Sequence, residues 1–185
     1  CDDDGSGNEG ANDRLQNERG IPFSCGKLAG SPAYCGGAHA TRADVAYVLL
    51  GAAGIPLGGH PIELNDDDNN KYEKYLNAAK AFGIFNGYSG DKVKPNDIAT
   101  RDTLATVLDR TYALPATTTD YFTDDDGEPG ENVHNRCAAA GLFTGYDDGH
   151  GGRAFKGDAK ATRNMLSMLA TRAADGLLVP KDWTP

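Results

Sequence analysis

The chain of 185 residues carries 27 Asp and Glu against 18 Lys and Arg, which gives a net charge of −9. Such an acidic balance argues against a nucleic-acid partner, because phosphate binding requires clustered Lys and Arg, and it opposes adsorption to anionic lipid. No run of 18 or more apolar residues is present, so the sequence predicts no membrane span. With 24 Gly and 9 Pro, much of the chain is expected to be loop.

The cysteines point to export. The chain begins at Cys1, as a processed mature protein would; a lipidated cysteine is one interpretation, and we favour a cysteine that merely starts the chain. Cys25 and Cys35 enclose the loop CGKLAGSPAYC without the spacing of a zinc or redox site. A disulfide between them would stabilise the fold by about 2–3 kcal/mol and indicates an extracellular compartment. Cys1 and Cys137 are left over, to pair with each other or across chains.

Four markers recur three times in the same order, which indicates an internal repeat. They are a run of three aspartates, a glutamate seven residues after the first aspartate, a glycine before an apolar residue, and Ala-Thr-Arg. The runs begin at Asp2, Asp66 and Asp124, the glutamates are Glu9, Glu73 and Glu131, the glycines are Gly20, Gly83 and Gly141, and the tripeptides begin at Ala40, Ala99 and Ala161. We therefore predict a single domain, 1–185, with repeats over 1–55, 62–115 and 120–176 and a tail over 177–185.

Each repeat is predicted to be a helix–loop–helix. A short helix follows the aspartates and ends at the glycine, a Gly-rich loop follows, and the threonine of Ala-Thr-Arg caps a longer helix. Offsets of 3, 6, 7 and 10 from each arginine give that helix one apolar face. The positions are Val45, Val48, Leu49 and Ala52; Leu104, Val107, Leu108 and Thr111; Leu166, Leu169, Ala170 and Ala173. One repeat cannot bury such a face alone, so we expect an all-α fold with a central three-helix core.

The aspartate runs have two interpretations. Carboxylates at a helix start offset the helix dipole, and we favour this role for any single run. Calcium is the alternative, because hard cations bind several oxygens of one short loop and adjacent like charges are unfavourable without a cation. The candidate ligands are Asp2, Asp4, Ser6 and Asp13; Asp66, Asp68, Asn70 and Glu73; Asp124, Asp126, Glu128 and Glu131. No organic cofactor is expected.

No catalytic constellation is evident. The four histidines, His39, His60, His134 and His150, share no metal-ligand spacing, and no serine stands in a G-x-S-x-G context. Nothing places paired carboxylates on opposite sides of a cleft. We therefore predict that the protein is not an enzyme.

The order of these markers resembles the S-layer homology motif, which usually occurs in threes. FNGYSGDKVKPNDIATRDTLATVLDR and FTGYDDGHGGRAFKGDAKATRNMLSMLATRA carry the resemblance best, and TRADVAYVLL is similar to the family's T-R-A-E opening. The resemblance implies a pseudo-threefold all-α trimer of motifs that attaches exported proteins to pyruvylated cell-wall polysaccharide. It also implies that the Thr-Arg arginines lie in inter-motif grooves and pair with the sugar carboxylate. These residues are Arg42, Arg101 and Arg163.

The resemblance is incomplete at the acidic position that follows T-R-A. Asp44 keeps it and joins the predicted glycan site, whereas Thr103 and Met165 replace it. Each arginine has a structural alternative, which is to cap a neighbouring helix C-terminus or to pair with an acidic cluster of the next repeat.

Three functional hypotheses follow. The leading one is a secreted cell-surface module that binds cell-wall polysaccharide or a surface partner in its inter-repeat grooves. The second is a subunit of an extracellular filament, sheath or S-layer that binds copies of itself through Cys1, Cys137 or calcium. It is favoured by weak sugar-binding features, since the only tryptophan, Trp183, lies in the tail. The third is an accessory domain of a larger exported enzyme.

Overall fold

The computed structural model describes residues 9–24, 26–28, 31–33, 35–58, 64–67, 69–176 and 178–183. Helices dominate this part of the chain, as the all-α prediction required. They are α1 (Glu9–Arg19), α2 (Arg42–Val45), α3 (Gly51–Ala53), α4 (Glu73–Ala81), α5 (Arg101–Thr111), α6 (Glu131–Ala139) and α7 (Arg163–Asp175). A π-helical turn, Ala46–Leu50, joins α2 to α3, so residues 42–53 form one long helix.

Two short antiparallel hairpins were not predicted. Strand β1 (Gly26–Leu28) pairs with β2 (Ser31–Ala33), and β3 (Tyr146–Asp147) pairs with β4 (Arg153–Ala154). Both hairpins lie inside loops that glycine composition marked as irregular. Gly149 and Gly151 between β3 and β4 have φ of 78° and 90°, a backbone conformation that favours glycine and lets the chain reverse there.

The predicted helix ends are confirmed. Thr41, Thr100 and Thr162 are N-caps whose side chains accept hydrogen bonds from the N–H groups of the residues three positions later. Asp44 and Thr103 return the bond to the cap backbone and complete a capping box, which the third long helix does not have. Gly83 and Gly141 follow the short helices α4 and α6 with φ of 67° and 73°, the C′ conformation expected of them.

The predicted apolar faces of the long helices are buried. Eleven of the twelve predicted positions have essentially no exposed surface, and the twelfth, Ala52, is half-buried. The π-helical turn of the first long helix packs against both α5 and α7. Burial of these side chains is the main favourable contribution to folding, at about 25 cal/mol per Å² of apolar surface.

The three segments that were predicted to be repeats contact one another through their helices. Helix α4 of the second repeat packs on the long helix of the first, and α6 of the third repeat packs on α5 of the second. Helix α1 of the first repeat packs on α7 of the third, where Arg14 forms a salt bridge with Asp175 and Thr171 Oγ1 donates to the Ala11 carbonyl. Each short helix therefore covers the long helix of a different repeat.

The three Ala-Thr-Arg segments meet in a closed ring of backbone hydrogen bonds. Ala40 N–H donates to the Ala161 carbonyl, Ala161 N–H to Ala99, and Ala99 N–H to Ala40, each over 2.9 Å. All three alanines are completely buried. The ring satisfies backbone groups that would otherwise be unpaired in the core, and it fixes where the arginine that follows each alanine and threonine emerges.

The cysteines correct one prediction. Cys137 is a free thiol without exposed surface; its S–H donates to the Ala105 carbonyl over 3.6 Å, and burial raises its pKa. The suggested pairing of Cys137 with Cys1 or with another chain is therefore wrong, because its side chain lies inside the core. Cys35 is disulfide-bonded. Cys25 and Cys1 lie outside the described residues, so the Cys25–Cys35 pair stays a prediction.

The described part of the tail returns to the second repeat. Ala113 N–H donates to the Val179 carbonyl, and Lys181 N–H donates to Thr111 at the end of α5. Trp183 packs against Phe82, with ring centroids 5.1 Å apart. This tryptophan therefore covers a helix end instead of lining a groove.

Candidate binding grooves

Two equivalent grooves lie at the contacts between repeats. We name the contact of Arg42 with the second repeat the first junction, and that of Arg101 with the third repeat the second junction. Groove 1, of about 280 Å³, includes Arg42, Phe85, Tyr88, Thr103, Thr106 and Arg110. Groove 2, of about 370 Å³, includes Arg101, Phe143, Tyr146, Met165, Met168 and Arg172. The two sets occupy matching positions in successive repeats.

Arg42 is half-buried in groove 1. Its Nε donates to the Val93 carbonyl over 2.7 Å, and its guanidinium lies 4.5 Å from the Phe85 ring centroid and 5.2 Å from that of Tyr88. No carboxylate of the described residues forms a salt bridge with it. Tyr88 remains 44% exposed, so the groove offers both an aromatic face and a partly solvated guanidinium.

Arg101 takes the same position in groove 2 but is only 5% exposed. Its Nε donates to the Phe155 carbonyl over 2.7 Å, and its guanidinium lies between 4.7 and 4.9 Å from the centroids of Phe143, Tyr146 and Phe155. Burial lowers the pKa of Arg101, and nearby Tyr146, Asp124 and Asp102 only partly offset it. Within the described chain, no carboxylate forms a salt bridge with Arg101.

A second arginine faces the first in each groove. Arg110 donates to the Ile84 carbonyl and Arg172 donates to the Leu142 carbonyl, each over 2.8 Å. Both stand nine residues after a Thr-Arg arginine. Two guanidiniums can bind a carboxylate, because the guanidinium fork matches carboxylate geometry. The tyrosine beside them can stack against a sugar ring.

Arg163 and Asp44 lie at the remaining contact, between the third and first repeats. Arg163 is 5% exposed, with its guanidinium 3.5 Å from the Phe23 centroid and its Nη1 3.6 Å from Asp44 Oδ1. Asp44 Oδ2 accepts the Thr41 N–H. Both oxygens of Asp44 thus serve the helix cap and Arg163; whether Asp44 also contacts a glycan stays a prediction.

Two of the predicted calcium ligands hold the protein backbone. Asp66 accepts the N–H groups of Val93 and Lys94 over 2.9 and 2.7 Å. Asp124 likewise accepts those of Phe155 and Lys156 over 2.6 and 2.9 Å. Val93 and Phe155 are the residues whose carbonyls accept from Arg42 and Arg101. Asp66 and Asp124 therefore hold in place the two backbone segments whose carbonyls bind the groove arginines.

The other predicted calcium ligands are scattered. Asn70 accepts the Tyr72 N–H and Glu131 accepts the Gly127 N–H, both in the turns that precede α4 and α6. Neither of these helices has a side-chain hydrogen bond at its N-cap. Asp13, Glu73, Asp126 and Glu128 are exposed. Asp2, Asp4, Ser6 and Asp68 lie outside the described residues. In the described part of the chain, the one group of three carboxylates close enough to share a cation is Asp120, Asp125 and Asp126, which includes only Asp126 of the predicted set.

A buried histidine that was not predicted to be functional lies at the second junction. His134 Nδ1 lies 2.7 Å from Asp125 Oδ2, its Nε2 lies 2.9 Å from Asp102 Oδ1, and its ring stacks on Phe155 at 3.7 Å. Burial lowers the pKa of His134, but hydrogen bonds and charge from Asp102 and Asp125 outweigh it, so the net pKa is raised. With both carboxyl groups ionised, both ring nitrogens donate, which is the imidazolium form. Burial raises the pKa of Asp125 as well, and its hydrogen bond to His134 partly offsets this.

Sequence reasoning missed Tyr88, Tyr146, Arg110, Arg172 and His134. The tyrosines end the similar segments GIFNGY and GLFTGY, and the second arginines keep a constant offset, so a signal was present for these four. His134 occupies the position in the third repeat that Leu76 occupies in the second, because both pairs, Leu76 and His134 and Glu73 and Glu131, have the same spacing. A histidine at a core leucine position was a signal for an unusual contact, but not for its partners.

Comparison with known families gives one match. A family model, S-layer homology domain, matches residues 64–105, which run from just before Asp66 through the tripeptide of the second repeat into α5. This segment supplies most of groove 1 and the arginine of groove 2. A comparison with curated proteins found no match. No helix in the described chain has the length and apolar character to cross a bilayer.

Proposed function

We propose that this chain is a non-catalytic cell-surface module of the S-layer homology type, which binds an anionic cell-wall polysaccharide in grooves between its repeats. The proposal starts from the S-layer homology domain matched over 64–105, since such domains bind cell-wall polymers. The observation that carries it furthest is groove 1, where the half-exposed Arg42 rests on Tyr88 opposite a second arginine.

We also propose that the first and third repeats are diverged copies of the same motif in a pseudo-threefold arrangement. Support comes from the ring of hydrogen bonds among Ala40, Ala99 and Ala161 and from the cyclic packing of short helices on long ones. Arg42, Arg101 and Arg163 each follow this ring at the same offset. The backbone N–H of each of these three arginines also donates to a carbonyl of a neighbouring repeat, over 2.9 to 3.0 Å.

The ligand class follows from the chemistry of the grooves. A guanidinium whose Nε is already bonded to the protein still has its terminal nitrogens to donate, and these suit a carboxylate substituent on a sugar. An exposed tyrosine face suits the apolar face of a pyranose ring. A wall polysaccharide that carries pyruvyl or other carboxylate groups supplies both features. The net charge of −9 does not oppose this, because groove 1 is lined by two guanidiniums, Arg42 and Arg110, against one carboxylate, Asp102.

Co-sedimentation with purified wall polysaccharide tests the proposal. Arg42→Ala should weaken binding by roughly tenfold or more, because a charge-assisted bidentate contact contributes about 1.5–3 kcal/mol. Arg42→Lys should restore it only in part, since it keeps the charge but loses the fork. Arg14→Ala, which removes an exposed arginine on α1, is the matched control. Unchanged binding by Arg42→Ala, or equal binding to polysaccharide stripped of its carboxylate substituents, would contradict the proposal.

Assembly with copies of itself is the alternative. The buried Cys137 removes one covalent link that favoured it. Light scattering with and without chelator tests what remains, and growth of the particle size with calcium would favour assembly over glycan binding.

A further inference from the structure

Three aspartates at the start of the third repeat lie close enough to share one ion. One carboxylate oxygen from each of Asp120, Asp125 and Asp126 lies within 4.8 Å of the others. Asp120 stands on the segment that enters the repeat, and Asp125 and Asp126 lie in the turn before α6. The entering segment is held in place because Tyr121 N–H donates to the side chain of buried Asn135 over 2.9 Å.

Asp125 adds an observation that does not depend on the clustering. It is 3% exposed, its Oδ2 is bonded to His134, and its Oδ1 is buried without a hydrogen-bond partner in the structure. A buried anionic oxygen without a donor is costly, and native proteins almost always satisfy such an atom. A bound cation would satisfy it.

The charges around the cluster point the same way. Asp120 and Asp126 are exposed, and neither forms a salt bridge with any Lys or Arg of the described chain. Asp120 Oδ1 accepts only a long hydrogen bond, 3.4 Å, from the Phe122 N–H. Asp124, between the members of the cluster in sequence, has both oxygens committed to backbone N–H groups. Among the residues that the structure describes, His134 is therefore the one cationic partner of the cluster, through Asp125.

We infer that Asp120, Asp125 and Asp126 bind one hard divalent cation, with calcium the best fit. The donors are all carboxylate oxygens, which excludes a preference for soft metals. Two of the three are exposed, so water can complete the 6–8 oxygen ligands that calcium accepts in a flexible geometry. The site differs from the sequence-predicted set of Asp124, Asp126, Glu128 and Glu131 in every member except Asp126. It does not depend on the proposed glycan function.

Calcium titration of the full chain, stripped of metal, tests the inference. Tyr121 adjoins Asp120 in sequence and is 39% exposed, so terbium luminescence sensitised by tyrosine gives a local signal, with calorimetry in physiological salt for calcium itself. The wild-type chain should bind calcium, and Asp120→Asn with Asp126→Asn should remove one site or weaken it about tenfold or more. The double variant should keep the wild-type melting temperature in chelator, since both side chains are exposed.

Glu128→Gln and Asp158→Asn are matched controls, because both remove an exposed carboxylate near the site without touching the cluster. They should bind calcium like the wild type. No binding by the wild-type chain at about 1 mM calcium, the weak end for extracellular sites, overturns the inference. Equal calcium binding by the double variant would also overturn it, because the ion would then lie elsewhere. Loss of calcium binding in Glu128→Gln would overturn it in favour of the ligand set predicted from the sequence.

Discussion

The first and second junctions have the same backbone contacts and differ in the contacts and exposure of their side chains. In both, an arginine donates its Nε to a carbonyl of the next repeat over 2.7 Å and stacks on aromatic rings. Arg42 contacts two rings and stays half-exposed, whereas Arg101 contacts three and keeps 5% of its surface. The same sequence marker thus gives one arginine that a ligand can reach and one that is largely part of the core.

The contacts beneath the two grooves differ as well. The residue after the Thr-Arg arginine is Ala43 at the first junction and Asp102 at the second. At the corresponding position of the short helix, the second repeat has the buried Leu76 and the third has His134. The second junction therefore contains a buried imidazole between two carboxyl groups, where the first has an apolar side chain. The first junction is held mainly by burial of apolar surface, and the second partly by charge.

Substitution of the two arginines should show the largest difference in stability between the junctions. Arg101→Ala should destabilise the fold by about 2–4 kcal/mol, because it forfeits buried cation–π contacts and leaves the Phe155 carbonyl without its donor. Arg42→Ala should cost about 1 kcal/mol or less in stability while it weakens ligand binding. Urea unfolding followed by circular dichroism measures both. Equal losses would mean that the exposure of the two arginines does not decide their roles.

The pH dependence of stability should show the next largest difference between the junctions. The folded pKa of His134 is raised, so its stabilising contribution is complete below the unfolded value of 6.5 and is lost as pH rises through the folded pKa. His134→Leu should remove the histidine's share of this pH dependence and leave that of Asp125, whose pKa burial also raises. At pH 5 the variant should destabilise the fold by about 1–3 kcal/mol, since Asp125 then stays buried without its partner.

Unfolding curves in chelator across pH 5 to 9 measure the effect without interference from bound metal. His150→Leu, in an exposed loop, is the control and should follow the wild type. A flat wild-type profile above pH 6.5 would show that the histidine is neutral in the fold.

The helix caps should give the smallest difference. Thr100→Ala and Thr162→Ala should each cost about 1 kcal/mol, with the larger loss at Thr100, because the Thr100 hydroxyl bonds both the N–H and the hydroxyl of Thr103, whereas the Thr162 hydroxyl accepts the Met165 N–H. Thermal unfolding of the two variants decides the order. The reverse order would show that contacts of Met165 in groove 2 depend on the third cap.

What the sequence predicted well was local. Caps at Thr41, Thr100 and Thr162, glycine ends and the buried helix faces follow from spacing within about ten residues of one chain segment. The short hairpin at Tyr146–Ala154 was missed because a glycine-rich loop composition does not distinguish a hairpin from an irregular turn.

The site was harder to predict because it forms between repeats. Tyr88 and Tyr146 face arginines from the preceding repeat, and His134 meets Asp102 across a junction, so no single repeat contains either contact. The run Asp124-Asp125-Asp126 shows why composition is insufficient. The three residues are chemically identical, yet the first bonds backbone, the second is buried and the third is exposed. Only the path of the turn separates them.

The alanine ring closes after three Ala-Thr-Arg segments. In an open solenoid each unit leaves a free edge, so units can be gained or lost one at a time with an incremental change in stability. Here every ring alanine donates to one neighbour and accepts from the other, and no member has a free group to offer a fourth. Duplication or deletion of one repeat would break the closure outright.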